Sequence, residues 1–190
     1  MIRALAPRSV VLMKKLLLML SLLGWVCGAA SGADWKHQIA EELPLLGHRN
    51  WIVIADSAYP LQIAPGVQTV ETNASQLEVL RAVLAAVDKT PHVRANIFTD
   101  SELPFVAEAD APGVGAYRDK LKEAFGGRAA ASVLHAKLIQ QLADAGSTFQ
   151  VLLLKTNLTI PYTTVFLQLD CRYWSADAEA RLRRAMQASK

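Results

Sequence analysis

The chain has 190 residues, enough for one domain with a substantial core, although the N-terminal segment supplies much of its 52% hydrophobic content. Four of its 20 basic residues and none of its 17 acidic residues lie in residues 1–33, so the remainder carries a formal charge of −1. This balance gives no indication of a nucleic-acid partner. Cys171 is the one cysteine after residue 33, which excludes an internal disulfide there, and no Cys/His spacing indicates a structural zinc site.

Residues 1–33 have the features of a secretory signal peptide. Two lysines precede an apolar run over residues 16–26, and a stretch of small residues follows at 28–33. The run is too short for a comfortable membrane span. We therefore predict cleavage near residue 33 and an exported protein, periplasmic or secreted, with no membrane span after cleavage. A lipid anchor at Cys27 and a true start at Met13 stay open as alternatives.

The first elements after this segment alternate between helix and strand. Residues 36–46 have helical apolar spacing, although Pro44 should kink or end that helix. The run Trp51 to Ile54, with polar residues and glycine around it, is typical of a buried strand, and its periodicity alone would also suit a buried helix. A short strand is predicted over 68–71, followed by a helix that Ser75 caps and that extends through residue 87.

The second half of the chain continues this alternation. Leu134, Leu138 and Leu142 are expected to face inward from one of its helices. Strands are predicted over 93–99, 149–154 and 164–169, helices over 114–125 and 129–143, an irregular insertion over 103–113, and a final amphipathic helix capped by Ser175. Strands that alternate with helices predict an α/β fold with a mainly parallel sheet covered on both faces.

Polar residues with chemical potential follow or precede these strands. Ligand sites in open α/β sheets gather where the strands end, so Asp56, Asp100 and Glu102 are expected to share one rim. His48, just before the first strand, is the strongest candidate for proton transfer, with a loop histidine bonded to the backbone as the alternative. Asp56 could equally be a helix cap or a turn former.

Two further candidates have structural alternatives of their own. His135 has helical spacing to Leu138 and Leu142, which also suits a histidine at the edge of the core. Tyr162, beside Pro161 and ahead of a strand, could equally be a packing aromatic.

Three sequence patterns resemble the D-ribose pyranase and L-fucose mutarotase family. Residues 47–60 follow the pattern Gly-His-x-Asn/Asp, several apolar residues, Asp, a small residue and then an aromatic residue before Pro. The segment from Pro161 to Thr164 resembles the family's Pro-Tyr-x-Asn, and Phe98 to Glu102 is similar to its Val-Thr-Asn-Glu. The resemblance covers roughly residues 38–170.

The resemblance implies a three-layer α/β/α fold with a mainly parallel, mixed central sheet. It also implies that sugar anomers, or pyranose and furanose forms, are interconverted through the open chain. A histidine that titrates near neutrality, beside a carboxylate and a phenol, can move the required protons without a metal or cofactor. The implied partners are a free monosaccharide and further copies of the same chain, in a homo-oligomer with the pocket near a subunit interface.

The resemblance also assigns roles to individual residues. Catalysis is assigned to His48, Asp56 and Tyr162. Substrate contacts are assigned to Asp56, Glu102, His135, Tyr162 and Thr164. This chain departs from the family in having Thr164 where an asparagine is usual, an insertion over about 104–134 and an additional helix over about 175–189.

Two other interpretations of the sequence remain open. The first is a sugar-binding or oligomeric assembly module that has the same fold and no turnover. The second is a small exported α/β domain with a structural role, in which His48, Asp56 and Tyr162 would be scattered.

Overall fold

A six-stranded mixed sheet lies at the centre of residues 34–189, the part of the chain that the computed structural model describes. The strands are β1 (Trp51–Ala55), β2 (Val67–Glu71), β3 (Val93–Asp100), β4 (Ala130–Val133), β5 (Val151–Lys155) and β6 (Val165–Cys171). Their order across the sheet is β2-β5-β1-β6-β3-β4. β6 is antiparallel to both of its neighbours, so the other five strands run in one direction.

Helices cover both faces of this sheet. They are α1 (Trp35–Glu42), α2 (Gln76–Lys89), α3 (Val114–Phe125), α4 (His135–Gly146) and α5 (Ala176–Ala188), with a short 3₁₀ turn at Leu103–Phe105. Alternate residues of β1 point to opposite faces. Ile52 and Ile54 pack with α1, α2 and α3, whereas Val53 packs with Leu138 and Leu142 of α4. The predicted three-layer α/β/α arrangement is therefore confirmed.

The strand directions define two edges of the sheet. At the carboxyl edge, β1, β3, β4 and β5 end and β6 begins; at the amino edge, those strands begin and β6 ends. All five residues of β1 are buried, as expected for a central strand covered on both faces. β1 alone separates the two edges by about 16 Å. Residues just before and just after β1 therefore lie at opposite edges.

Several predicted helix ends are confirmed. The hydroxyl of Ser75 accepts a hydrogen bond from the backbone N–H of Glu78, and the hydroxyl of Ser175 accepts one from that of Ala178. α3 ends at Gly126, whose φ of 57° is a left-handed conformation that glycine adopts without steric cost. α1 ends before Pro44, as the proline predicts.

The predicted helix over 129–143 is wrong in its first part. Ala130–Val133 forms strand β4, which pairs in parallel with β3, and α4 begins only at His135. Leu134, which we expected to face inward, is 62% exposed. Alanine favours helices, and an exposed edge strand shows no buried alternation, so the local sequence gives no strand signal. Hydrogen bonding to β3 decides the conformation instead.

The predictions for the N-terminal segment lie outside the described residues. These are the signal peptide over 1–33, the alternative start at Met13 and the lipid anchor at Cys27. Among residues 34–189, no helix has both the length and the hydrophobicity needed to cross a membrane.

Candidate functional site

Asp56 follows β1 directly and lies at the carboxyl edge. Its carboxylate is held from two sides: Oδ1 accepts a hydrogen bond from the backbone N–H of Ala58 at 2.9 Å, and Oδ2 accepts one from the hydroxyl of Thr164 at 3.1 Å. Thr164 itself is fully buried at the start of β6. Thr164 therefore fixes the carboxylate of Asp56 from behind, and the aspartate has one defined orientation.

His135 and Asp100 form a second pair at the same edge. Asp100 ends β3 and its side chain is fully buried, whereas the side chain of His135, at the start of α4, is 29% exposed. Nδ1 of His135 lies 3.1 Å from Oδ1 of Asp100, an ion-pair distance without the alignment of a hydrogen bond. Burial raises the pKa of Asp100 to about 6, although the charge of His135 opposes the shift. The imidazole is thus backed by a carboxyl group that titrates close to neutrality.

Two tyrosine rings enclose the imidazole of His135. The ring of Tyr162 is perpendicular to it with centroids 5.5 Å apart, and the ring of Tyr59 is nearly perpendicular at 6.5 Å. Tyr59 is buried, which raises the pKa of its phenol. Tyr162 is 39% exposed and has a φ of 58°, a left-handed conformation that is rare for a residue other than glycine and that tends to occur at functional sites.

These side chains line one cleft of about 260 Å³. We call it the carboxyl-edge cleft, and its walls are Asp56, Ala58, Tyr59, Pro60, His135, Pro161 and Tyr162. The volume is slightly below the roughly 300–1,000 Å³ that is usual for ligand sites, so the cleft suits a small molecule. A carboxylate, an imidazole and phenols can together accept, donate and transfer protons. Within residues 34–189, no three His, Cys, Asp or Glu side chains are grouped as ligands for a metal ion.

His48 does not reach this cleft within one chain. It lies at the amino edge, where its Nδ1 is 3.0 Å from Oδ1 of Asp170 and where Nε of Arg94 donates to the other oxygen of Asp170 at 3.0 Å. His48 and Asp170 line a separate cleft of about 630 Å³ next to the start of α5. The structure therefore brings together Asp56, His135 and Tyr162 and leaves His48 at the far end of β1.

Comparison with known proteins relates the chain to solved structures of one fold. No protein-family model matches it, and no curated protein does. The Bacillus subtilis RbsD structure, complexed with D-ribose, superposes with a TM-score of 0.50 and 16% identity, over 70% of this chain and 91% of that one. FucU from Bifidobacterium longum gives 0.50 and 19%, over 70% and 94%. The fucose mutarotase of Streptococcus pneumoniae, in complex with L-fucose, gives 0.50 and 18%, over 75% and 97%.

The chain has the ribose pyranase and fucose mutarotase fold. The resemblance drawn from the sequence is confirmed at this level. Because the identities are below 20%, the pyranase–mutarotase fold is what the comparisons establish.

Within the pyranase–mutarotase fold of this chain, Glu102 has a structural contact. Both of its carboxylate oxygens accept from the backbone N–H of His135, each at 3.1 Å. This caps the start of α4, because a negative charge there complements the unpaired N–H groups and the helix dipole. Glu102 is absent from the walls of the cleft and fixes the turn that presents His135.

Sequence reasoning did not identify the pairing of Asp100 with His135, or the contact of Tyr59 with the imidazole. The position of Asp100 at the end of a strand placed it at the right edge. The sequence does not predict its partner, because residues 130–133 have the local features of a helix, whereas they form β4, and the path of β4 determines where His135 lies.

Proposed function

We propose that this protein interconverts the anomers or ring forms of a monosaccharide in the carboxyl-edge cleft. The observation that carries the proposal is the convergence of Asp56, His135 and Tyr162 on one small polar cleft. It is supported by the fold, since two of the similar structures hold D-ribose and L-fucose. Carboxylate, imidazole and phenol groups also suit the hydroxyl groups of a sugar, because they form directional hydrogen bonds.

The proposed reaction needs two proton transfers in each direction. A base takes the proton of the anomeric hydroxyl, and the bond between the anomeric carbon and the ring oxygen breaks with its electron pair passing to that oxygen. The ring oxygen takes a proton from an acid, which leaves an open-chain aldehyde. Rotation of the aldehyde group and the reverse steps close the ring with the other configuration. No oxidant, reductant or metal enters this balance.

The residues of the cleft can divide these tasks. His135 would exchange protons through Nε2, the ring nitrogen that does not face Asp100. Asp100 has a pKa of about 6 and is ionised at higher pH, where it would stabilise the imidazolium form of His135 during the transfer. Asp56, held by Thr164, would accept hydrogen bonds from sugar hydroxyls, and Tyr162 would donate to the ring oxygen.

We retain His48 as a second proton-transfer group that enters from another copy of the chain. The side chain of His48 is 57% exposed in its own cleft, and Tyr162 is 39% exposed, so both remain accessible to a neighbour. A homo-oligomer with the site near a subunit interface would bring the two edges together. Export to the periplasm or the outside of the cell remains part of the proposal, since it rests on the signal peptide over residues 1–33.

The alternative function is a non-catalytic sugar-binding or assembly module of the same fold. The observation that favours it is Thr164, which stands where the resemblance predicts an asparagine. A threonine has no amide group to offer to the cleft. Its hydroxyl is buried and already bonded to Asp56.

Saturation-transfer NMR separates the two functions. Purified residues 34–190, the chain left by the predicted cleavage near residue 33, are mixed with ribose, fucose, galactose or glucose, and the exchange between anomers is measured. We expect wild type to accelerate exchange for at least one sugar and His135→Gln to lose most of that acceleration. His37→Gln, on the exposed surface of α1, is the matched control and should behave as wild type.

The other outcomes are equally informative. Sugar binding without any acceleration would reject the mutarotase and support the binding module. Neither binding nor acceleration with the four sugars would contradict both proposals. Acceleration that persists in His135→Gln and disappears in His48→Gln would assign the proton transfer to His48 alone.

A further inference from the structure

Helix α3 contacts the two loops that hold Tyr162 and His135 in the carboxyl-edge cleft, although it supplies none of the walls of that cleft. It belongs to the insertion over about 104–134, to which the proposed function assigns no role. Leu121 anchors α3 in the core cluster that it shares with α1 and α2, on the face of the sheet opposite α4. The polar contacts with the two loops come from adjacent residues of α3, Tyr117 and Arg118.

The first contact fixes the turn that carries Tyr162. The hydroxyl of Tyr117 donates to the backbone carbonyl of Thr163 at 3.2 Å, and Nε2 of Gln76 donates to the same carbonyl. The hydroxyl of Thr163 donates in turn to the carbonyl of Ile160 at 2.7 Å, across the turn. The side chains of Tyr117, Gln76 and Thr163 are all buried, and hydrogen bonds in such surroundings are strong because the local dielectric constant is low.

The backbone of Tyr162 needs this support. Its φ of 58° is unfavourable for a residue other than glycine, and such a conformation persists only where the surrounding structure enforces it. The carbonyl that Tyr117 holds belongs to the next residue, Thr163. Loss of this hydrogen bond should therefore let the turn relax and displace the phenol of Tyr162 from the cleft.

The phenol of Tyr117 remains a hydrogen-bond donor at neutral pH. Burial raises its pKa, and the charges of Asp56 and Asp100 raise the pKa further. The hydroxyl therefore stays protonated, close to the acidic groups of the site.

The second contact fixes the segment that follows Glu102. Nη1 of Arg118 lies within hydrogen-bonding distance of three backbone carbonyls in the 3₁₀ turn and the residue after it, at 3.2, 3.2 and 3.1 Å. The carboxylate of Glu102, directly before this turn, accepts from the backbone N–H of His135 at the start of α4. One guanidinium group thus holds the segment that caps the helix of the imidazole.

We propose that α3 positions the proton-transferring side chains of the carboxyl-edge cleft. Tyr117 holds the turn that carries Tyr162. Arg118 holds the segment whose carboxylate caps α4 at His135. Both are positioning residues, since neither lines the cleft. Their effect on turnover rests on the proposed function, whereas their effect on the two loops does not.

The first experiment compares NMR spectra of residues 34–190 in wild type and in Tyr117→Phe, which loses one hydroxyl and keeps the ring. A residue with positive φ gives a strong NOE between its own amide and α protons, so this NOE reports the backbone of Tyr162. We expect it to weaken in Tyr117→Phe and the side-chain signals of His135 to shift, because the ring of Tyr162 stands edge-on to the imidazole. Arg118→Gln should shift the His135 signals as well. A role in stability alone would leave these signals of the folded protein unchanged.

The second experiment measures anomer exchange over a range of concentrations of the sugar that wild type accelerates. Tyr117→Phe and Arg118→Gln should each lower kcat about threefold to tenfold with little change in KM, because proton transfer depends more steeply on geometry than sugar binding does. Lys122→Gln, which removes an exposed cation from the same helix, is the matched control for Arg118→Gln and should keep the wild-type kcat. Gly66→Ala, which crowds backbone atoms at the amino edge, is the control for lost stability and should also keep it.

Three results would overturn the proposal. One is an unchanged Tyr162 NOE together with unchanged His135 signals in both α3 variants. Another is a wild-type kcat in both variants. The third is an equal loss of kcat in Gly66→Ala, which would assign the loss to lowered stability. A wild type that accelerates exchange for no sugar would contradict the proposed catalysis, and the NMR comparison would then decide by itself whether α3 positions Tyr162 and His135.

Discussion

Burial of the Asp100 carboxyl group destabilises the folded protein at neutral pH, and the charge of His135 only partly offsets this loss. Burial raises the pKa of Asp100 from 3.8 to about 6, so the folded protein binds a proton there that the unfolded chain has already released. Stability from this group is therefore highest below pH 4, declines between pH 4 and 6, and changes little above pH 6. The decline amounts to at most about 3 kcal/mol.

Asp100→Asn should remove this pH dependence and reduce catalysis. An amide does not ionise, so the variant should be as stable as wild type or more stable at pH 7, with a flatter profile from pH 4 to 6. The imidazole of His135 loses its anionic partner, so acceleration of anomer exchange should fall roughly tenfold or more. Urea unfolding at four pH values and NMR exchange rates provide the two measurements.

The exposed Asp119→Asn is the control for Asp100→Asn, and it should leave both the pH profile and the exchange rate unchanged. A steep decline in stability between pH 4 and 6 that persists in Asp100→Asn would contradict the assignment of that decline to Asp100. Stability and activity that fall together at pH 7 would instead indicate that Asp100 has only a structural role.

Other single residues differ in how far the sequence could place them. The rule that polar groups gather where parallel strands end correctly brought Asp56 to the carboxyl edge. The same rule could not show that Thr164 is fully buried behind Asp56, because that depends on the register of β6 against β1. For His48, the eight-residue separation from Asp56 spans a whole strand, and that length alone indicates opposite edges.

At the scale of elements, the loop between β1 and β2 is fixed by a close backbone approach at Gly66. Its N–H donates to the carbonyl of Gly146 at 2.8 Å, at the end of α4, and its carbonyl accepts from the N–H of Val151 at 2.8 Å. A β-carbon on residue 66 would meet the carbonyl oxygen of Phe149 and lie 2.6 Å from that of Gly146. Both contacts are with backbone atoms, which cannot move aside as a flexible side chain can.

Gly66→Ala should therefore destabilise the protein by about 2–3 kcal/mol, the cost of an overpacked site. The measurement is the midpoint of urea unfolding at constant slope. Gly47→Ala is the matched control, since a β-carbon at residue 47 meets only the amide of Asn50 at 3.9 Å. Equal unfolding midpoints for the two variants would show that the loop relaxes around residue 66.

The elements also differ in how clearly the sequence predicts them. α3 was predicted with its observed bounds, because apolar residues at helical spacing stop at a pair of glycines. β4 was missed because its Ala130–Val133 sequence is exposed, short and rich in alanine. Its conformation is set by pairing with β3, a contact over some 30 residues of chain that local propensity does not encode.

At the scale of the whole molecule, the exposed apolar side chains lie mostly outside the layered core. At the carboxyl edge they are Phe105, Leu134 and Tyr162, at the amino edge and on α5 they are Leu45, Tyr173, Trp174, Leu182 and Met186, and in the loop between β1 and β2 they are Leu61 and Ile63. Apolar patches that stay exposed often mark interaction surfaces. Contact between the amino edge of one copy and the carboxyl edge of the next would cover both patches and bring His48 to the cleft of Asp56.

Mixing two inactive variants tests this head-to-tail arrangement. In this arrangement each site takes His48 from one copy and Asp56 from another. His48→Gln and Asp56→Asn are mixed in equal amounts and allowed to exchange subunits. About a quarter of the wild-type sites should then be recovered, because a site is complete only when both contributing copies supply the intact residue. Asp56→Asn mixed with His135→Gln is the control, since both residues belong to one cleft of one chain, and this mixture should stay inactive. Exchange rates measured by NMR before and after mixing give the answer. Recovery in neither mixture, when His48→Gln alone is inactive, would contradict a site that is shared between two copies.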